Sequence, residues 1–128
     1  MLRRPTLLRL IGLSPIVLAT PDAMAAPEIN GVWARGDGNA HVRIAPCGAD
    51  LCAVNIWVKD TSKGEAVGDT LVMMVKPQAP GRYTGTAYDR KRKLTVSMDI
   101  SVEPKRLKSR GCVLGGLACR SVSWSRLH

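Results

Sequence analysis

Apolar and polar residues alternate most regularly over residues 93–103. There Leu94, Val96, Met98, Ile100 and Val102 interleave with Thr95, Ser97, Asp99, Ser101 and Glu103. A period of two over this length predicts a strand with one face on a core and the other in water. A shorter copy covers residues 41–44, with Val42 and Ile44 on the apolar face and Arg43 opposite. Residues 51–59 and 70–76 are longer apolar runs rich in Val, Ile and Leu, as buried strands are. Residues 82–88 and 121–127 carry the aromatic residues of two more strands.

Turn chemistry separates these segments at short intervals. Gly36-Asp37-Gly38-Asn39, Gly48-Ala49-Asp50 and Gly115-Gly116 are the clearest cases, with further turns at 60–64, 77–81 and 89–92. About eight short strands with no credible helix predict an all-β fold. The first architecture is a small antiparallel up-and-down barrel, and a β-sandwich is the alternative. No internal repeat or second domain interrupts the pattern.

The chain opens with a different texture. Arg3, Arg4 and Arg9 precede a short apolar stretch at residues 10–19, and Ala23-Met24-Ala25 forms an A-x-A cleavage site. This is the layout of a secretory signal peptide over residues 1–25, followed by one domain at 26–128. The apolar stretch is too short for the roughly 20 residues of a transmembrane anchor, and Pro15 interrupts it. A Sec-type leader implies a periplasmic or secreted bacterial protein.

Charge then narrows the partners. The whole chain carries a formal +9. Three of its 19 basic and one of its 10 acidic residues lie in the leader, leaving +7 on the domain. In an exported protein such a balance suits anionic lipid head groups, lipopolysaccharide or acidic polymers, not nucleic acid. Simple solubility is the plainer explanation.

Four cysteines form two tight pairs, Cys47/Cys52 and Cys112/Cys119. After an export leader, an even count reads as two disulfides. Chain entropy favours long bridges between the pairs, where a loop of about 66 residues would be closed. Geometry favours local ones, because each pair flanks a Gly-containing turn that brings two Cα atoms close in a hairpin. We expect Cys47–Cys52 and Cys112–Cys119. A zinc site would need tighter ligand spacing than Cys112/Cys119 provides, and a redox role would need a C-x-x-C.

The domain begins with Gly31-Val32-Trp33 and ends with Trp124-Ser125-Arg126. A first-strand Trp33 meeting Arg126 from the last strand would close a barrel, the guanidinium stacking on indole and donating to end carbonyls. Trp124 belongs to the same closure; the alternative is that Trp33 and Trp124 are ordinary core residues and Arg126 a solvated end. Between these brackets stand Val42-Arg43-Ile44, Pro46-Cys47-Gly48, Leu51-Cys52, Ile56-Trp57, Gly85, Tyr88-Asp89, Leu107 and Arg110-Gly111-Cys112.

Taken together, residues 31–126 resemble the bacterial family catalogued as domain of unknown function 2147. The resemblance implies a small exported β-barrel whose G-x-W is similar to that of the calycin group of lipocalins, fatty-acid-binding proteins and avidins. It implies no activity. Two stretches depart from the family pattern. Ala66-Val67-Gly68 stands where members often have another cysteine, and Arg90-Lys91-Arg92-Lys93 replaces a Pro- and Gly-containing turn with a Tyr.

Candidate chemistry is sparse. Arg90, Lys91, Arg92 and Lys93 are four consecutive cations at a predicted hairpin turn, and Lys105, Arg106, Lys108 and Arg110 add a second basic stretch. At one end of a barrel they would concentrate positive charge toward an anionic surface. Otherwise they are a solvated turn and an edge protected against aggregation.

If the barrel is hollow, Trp57, Met73, Met74, Met98 and Tyr83 are candidates to line a pocket. His41 has no adjacent nucleophile. Asp89 and Asp99 do not form an evident pair, and no G-x-S-x-G elbow surrounds Ser121, Ser123 or Ser125. Neither catalysis nor a cofactor or metal is expected. The expected role is binding of a small apolar or amphipathic ligand by a monomer. An anionic envelope surface, or a stress-related structural role, is the alternative.

Overall fold

The turn chemistry of the sequence joins each strand to its immediate neighbour. In the computed structural model, which describes residues 26–128, eight antiparallel strands follow one another around a closed barrel. They are β1 (Gly31–Arg35), β2 (Ala40–Cys47), β3 (Asp50–Val58), β4 (Thr70–Ala79), β5 (Arg82–Asp89), β6 (Leu94–Val102), β7 (Arg106–Val113) and β8 (Ala118–Arg126). A single 3₁₀ turn at Leu114–Gly116 joins the last two. The leader expected at 1–25 lies outside the described residues. Among those described, no helix is long and apolar enough to cross a membrane.

Closure comes from the shortest strand. β1 pairs with β2 on one side and with β8 on the other, through Trp33↔Arg126, Ala34↔Ser125 and Arg35↔Trp124. That second pairing makes the sheet a barrel and not a sandwich, and leaves no edge strand unpaired. Period-two alternation then sends one face of every strand to a common interior. Val42 and Ile44 of β2, Met73 of β4, and Met98, Ile100 and Val102 of β6 form its core with Ile29, Ala87 and Leu107. Among the described residues, Trp33 is the one large side chain fully removed from solvent.

Two ends result from the up-and-down order. One carries the β2–β3, β4–β5 and β6–β7 turns and both termini of the domain; the other carries the remaining four connections. The first end is shut. Ile29 is buried there, and its carbonyl accepts a hydrogen bond from Trp33 Nε1 at 3.0 Å. Arg126 spreads its guanidinium 4.2 Å over the Trp33 ring. Nε donates to the Pro104 carbonyl at 2.7 Å, Nη1 to those of Asn30 at 3.1 Å and His128 at 3.3 Å, and Nη2 to that of Glu28.

Gly81 belongs to this end as well. It adopts a left-handed φ of 75°, and a Cβ there would sit 2.7 Å from the Val102 carbonyl oxygen.

The disulfides lie one at each end. Cys47–Cys52 clips the β2–β3 hairpin at the shut end, with Cα atoms 5.7 Å apart. Cys112–Cys119 ties directly opposed residues of β7 and β8 toward the other end, with Cα atoms 4.1 Å apart. Both are local bridges, and no cysteine is left free among the described residues. Bridges of this kind belong to oxidising compartments.

Replacing Arg126 by Ala removes the stacking cation and strips several carbonyls of their donor. Urea unfolding of R126A is expected to show a loss of roughly 2–4 kcal/mol. Lys cannot reproduce the planar fork, so R126K is expected to recover less than half of that loss. Full recovery by Lys would show that charge alone holds the end shut.

Candidate functional site

A barrel of this size is filled only if its inward positions are large. Here several are small: Ala53 on β3, Gly85 and Ala87 on β5, Ser109 and Gly111 on β7. Met98 of β6 is flanked by glycine on both neighbouring strands, Gly85 and Gly111. Gly85 has no choice in this, because a Cβ would collide with the Met74 carbonyl oxygen. Ala53 and Ser109 line a pocket of about 520 Å³ that opens at one end of the barrel and reaches into its interior. It lies within the usual size range of small-molecule sites, roughly 300–1,000 Å³.

The cavity has two zones. Its depth is apolar, walled by Trp33, Val42, Ile44, Met73, Met98 and Leu107. Its mouth, at the end opposite the Arg126 cluster, is polar: Arg35, Asn55, Glu65, Asp69, Asp89, Arg92 and Arg120 line it. Trp124 stands between the zones and donates from its indole nitrogen to Ser109 Oγ at 3.0 Å.

Ion pairs organise the mouth around the β3–β4 loop. Arg35 Nη2 reaches Glu65 at 2.8 Å, and its Nε reaches Asp37 at 2.9 Å. Hydrogen bonding to Glu65 raises the Arg35 pKa further, and Arg35 in turn holds both carboxyls below the ordinary carboxylate range. Lys91 Nζ donates to the Gly64 carbonyl at 2.5 Å and lies 3.3 Å from Asp69. Arg92 pairs with Asp89 at 2.9 Å. Burial pushes the Asp89 carboxyl up, but the Arg92 backbone N–H and guanidinium more than offset it, so its pKa is lowered. The loop is thus tied to the β1–β2 turn on one side and the β5–β6 turn on the other.

The residues expected from the sequence scatter relative to this cavity. Met73, Met98, Trp33 and Trp124 line it. Tyr83 packs on the core nearer the shut end and is not part of the lining. Trp57 is on the outer wall, 41% exposed, with its ring 4.4 Å from that of His41. Strict alternation from Ala53 through Asn55 would turn Trp57 inward. A bulge sets Asn55 opposite Val42 but Trp57 opposite His41, and one extra residue flips the face. Met74 also points outward and is 39% exposed.

The basic stretches separate too. Residues 90–93 sit at the open end and Lys105 at the shut end, because the β5–β6 and β6–β7 turns cap opposite ends of β6. Lys91 and Arg92 are engaged as described, while Arg90 and Lys93 make no ion pair among the described residues.

Arg35, Glu65 and Arg120 were not read from the sequence as site residues. Two of them were reachable by counting: Arg35 is two residues beyond Trp33, and Arg120 shares a face with Trp124 and Arg126.

These features define a small closed β-barrel protein with an interior that opens at one end. Residues 31–126 match the model of a family described as an uncharacterized protein conserved in bacteria (DUF2147), and the chain belongs to that family. No curated protein and no solved structure matches it.

Since the Glu65 carboxyl is held below its ordinary range, the Arg35–Glu65 pair contributes stability that is complete above that range. The contribution is lost as pH falls through the lowered value. Urea midpoints followed from neutral to acid pH are expected to fall less steeply for E65Q than for the wild type. Parallel curves would show that the pair does not couple to folding.

Proposed function

We propose that this protein is a non-enzymatic binding domain that takes one small amphipathic molecule into its barrel. The observation that carries the reading is the two-zone cavity, apolar in its depth and polar at its mouth. Burying apolar surface supplies about 25 cal/mol per Å², and a few polar groups at the mouth fix orientation. The paired disulfides support a working place in an oxidising compartment, the periplasm or the exterior. Monomeric action needs no further element, since the barrel closes on itself.

A saturable rise in fluorescence of an apolar probe, at one probe per chain, is the expected result of titration. Ala53→Leu fills the lining and is expected to weaken that binding at least tenfold while the circular dichroism spectrum stays unchanged. Unaltered affinity in A53L would place the probe outside the cavity.

A second reading is favoured by one observation at the same end. Leu114 and Leu117 between β7 and β8 are 74% and 89% exposed, at the same end of the barrel as Arg90 and Lys93 on the β5–β6 turn. Exposed apolar tips and cations at one end suit an anionic lipid surface, each cation contributing about 1 kcal/mol near it. On this reading, sedimentation with phosphatidylglycerol vesicles at low salt drops on L114S/L117S and again on R90Q/K93Q. Equal sedimentation of all three proteins would remove it.

A further inference from the structure

We propose that the ligand of this cavity is an amphipathic anion whose head group is held by Arg120 at the mouth. The assignment rests on the cavity reading above and adds the chemistry of the head. The ion pairs made by the lining charges, one of them with Lys91 outside the lining, carry it. Glu65 has Arg35, Asp89 has Arg92, and Asp69 has Lys91. Each lining carboxylate is thus matched by a cation. Arg120 is the lining cation left over, with no ion pair and no side-chain hydrogen bond among the described residues.

The nearest claim on Arg120 is Asp37. Its carboxyl senses the Arg120 charge, but weakly compared with its hydrogen bond to Arg35. Asp37 is also largely in water, where such an interaction is screened.

Position supports the same end point. Arg120 faces Gly111 across the β7–β8 ladder, where the glycine gives room to the Met98 and Val96 side chains that lie over it. One inward step deeper, Val122 is opposite Ser109. Ser109 Oγ accepts from the Trp124 indole, and its own hydroxyl hydrogen stays available as a donor. A head with two or more oxygens would meet a guanidinium fork and a hydroxyl, while its chain runs down between Met73, Met98 and Leu107. Guanidinium prefers such oxyanions because two parallel N–H donors match them.

Carboxylate and phosphate heads share this chemistry, and probes of one chain length separate them. Displacement of a fluorescent probe from the whole domain would be measured with decanoate, decyl phosphate, decanol and decylamine. The expected result is that at least one acid binds about tenfold or more tightly than decanol, the difference shrinking with added salt. R120Q lowers acid affinity toward that of decanol and so removes the preference, and R120K restores part of it. Which acid binds more tightly identifies the head.

Acids and decanol binding alike, with R120Q silent, would overturn the Arg120 assignment and leave the cavity reading standing. Decylamine binding most tightly, and losing that advantage in E65Q, would overturn it in favour of a cationic head on the unpartnered Glu65 Oε1. Failure of every chain, decanol included, to displace the probe would remove the cavity reading and this assignment together. Thermal unfolding of R120Q at the wild-type midpoint guards against a folding defect.

Discussion

The pairing of the five-residue β1 with β8 is the constraint on which the rest depends. Without it the same strands would form an open sheet with two bare edges and two separate faces. With it, alternation on every strand feeds one interior. Arg126 holds that seam at its end, because a single guanidinium stacks on Trp33 and gathers carbonyls from the N-terminal segment, the β6–β7 turn and the C-terminus. The disulfides act locally beside it, one on a hairpin at each end. A domain of about 100 residues buries a modest share of its surface, so these fixed ends let the middle carry less packing.

That middle is where packing is given up. Small inward residues on β3, β5 and β7 forgo packing that larger ones would supply, and Met98 lies between two glycines. An interior built only for stability would fill this volume with Leu or Ile. The mouth shows the same trade, since an array of ion pairs occupies positions where apolar residues would close the barrel. Because Arg35 and Lys91 anchor the β3–β4 loop from opposite sides, the opening is framed by fixed groups.

Much of this was legible in the sequence where a physical period is strong. The alternation of residues 93–103 reproduces β6 and its inward set, and the cysteine pairs foretold hairpin bridges through their turn glycines. Trp33 and Arg126 offered the seam as one of two readings, and the β1–β8 pairing decides for it. β7 was harder, because its inward residues are Leu107, Ser109 and Gly111 and carry little apolar signal. Trp57 misled for a sharper reason: a single-residue bulge in β3 is invisible to a period-two count and reverses every side chain beyond it.

Whether the barrel was filled could not be read from strand patterns. It depends on which small residues meet across the interior. Arg120 carries no apolar signal of its own, although Val122, Trp124 and Arg126 follow it at period two on one face of β8.

The central claim, that the interior admits a small molecule, is tested most directly by the methionine methyl groups. Met73 and Met98 line the cavity, while Met74 lies on the outer wall of the same strand as Met73. Methyl NMR of the domain titrated with decanol is expected to shift the Met73 and Met98 signals in a saturable way and leave Met74 unmoved. Unshifted Met73 and Met98, or a Met74 shift as large as theirs, would contradict the account.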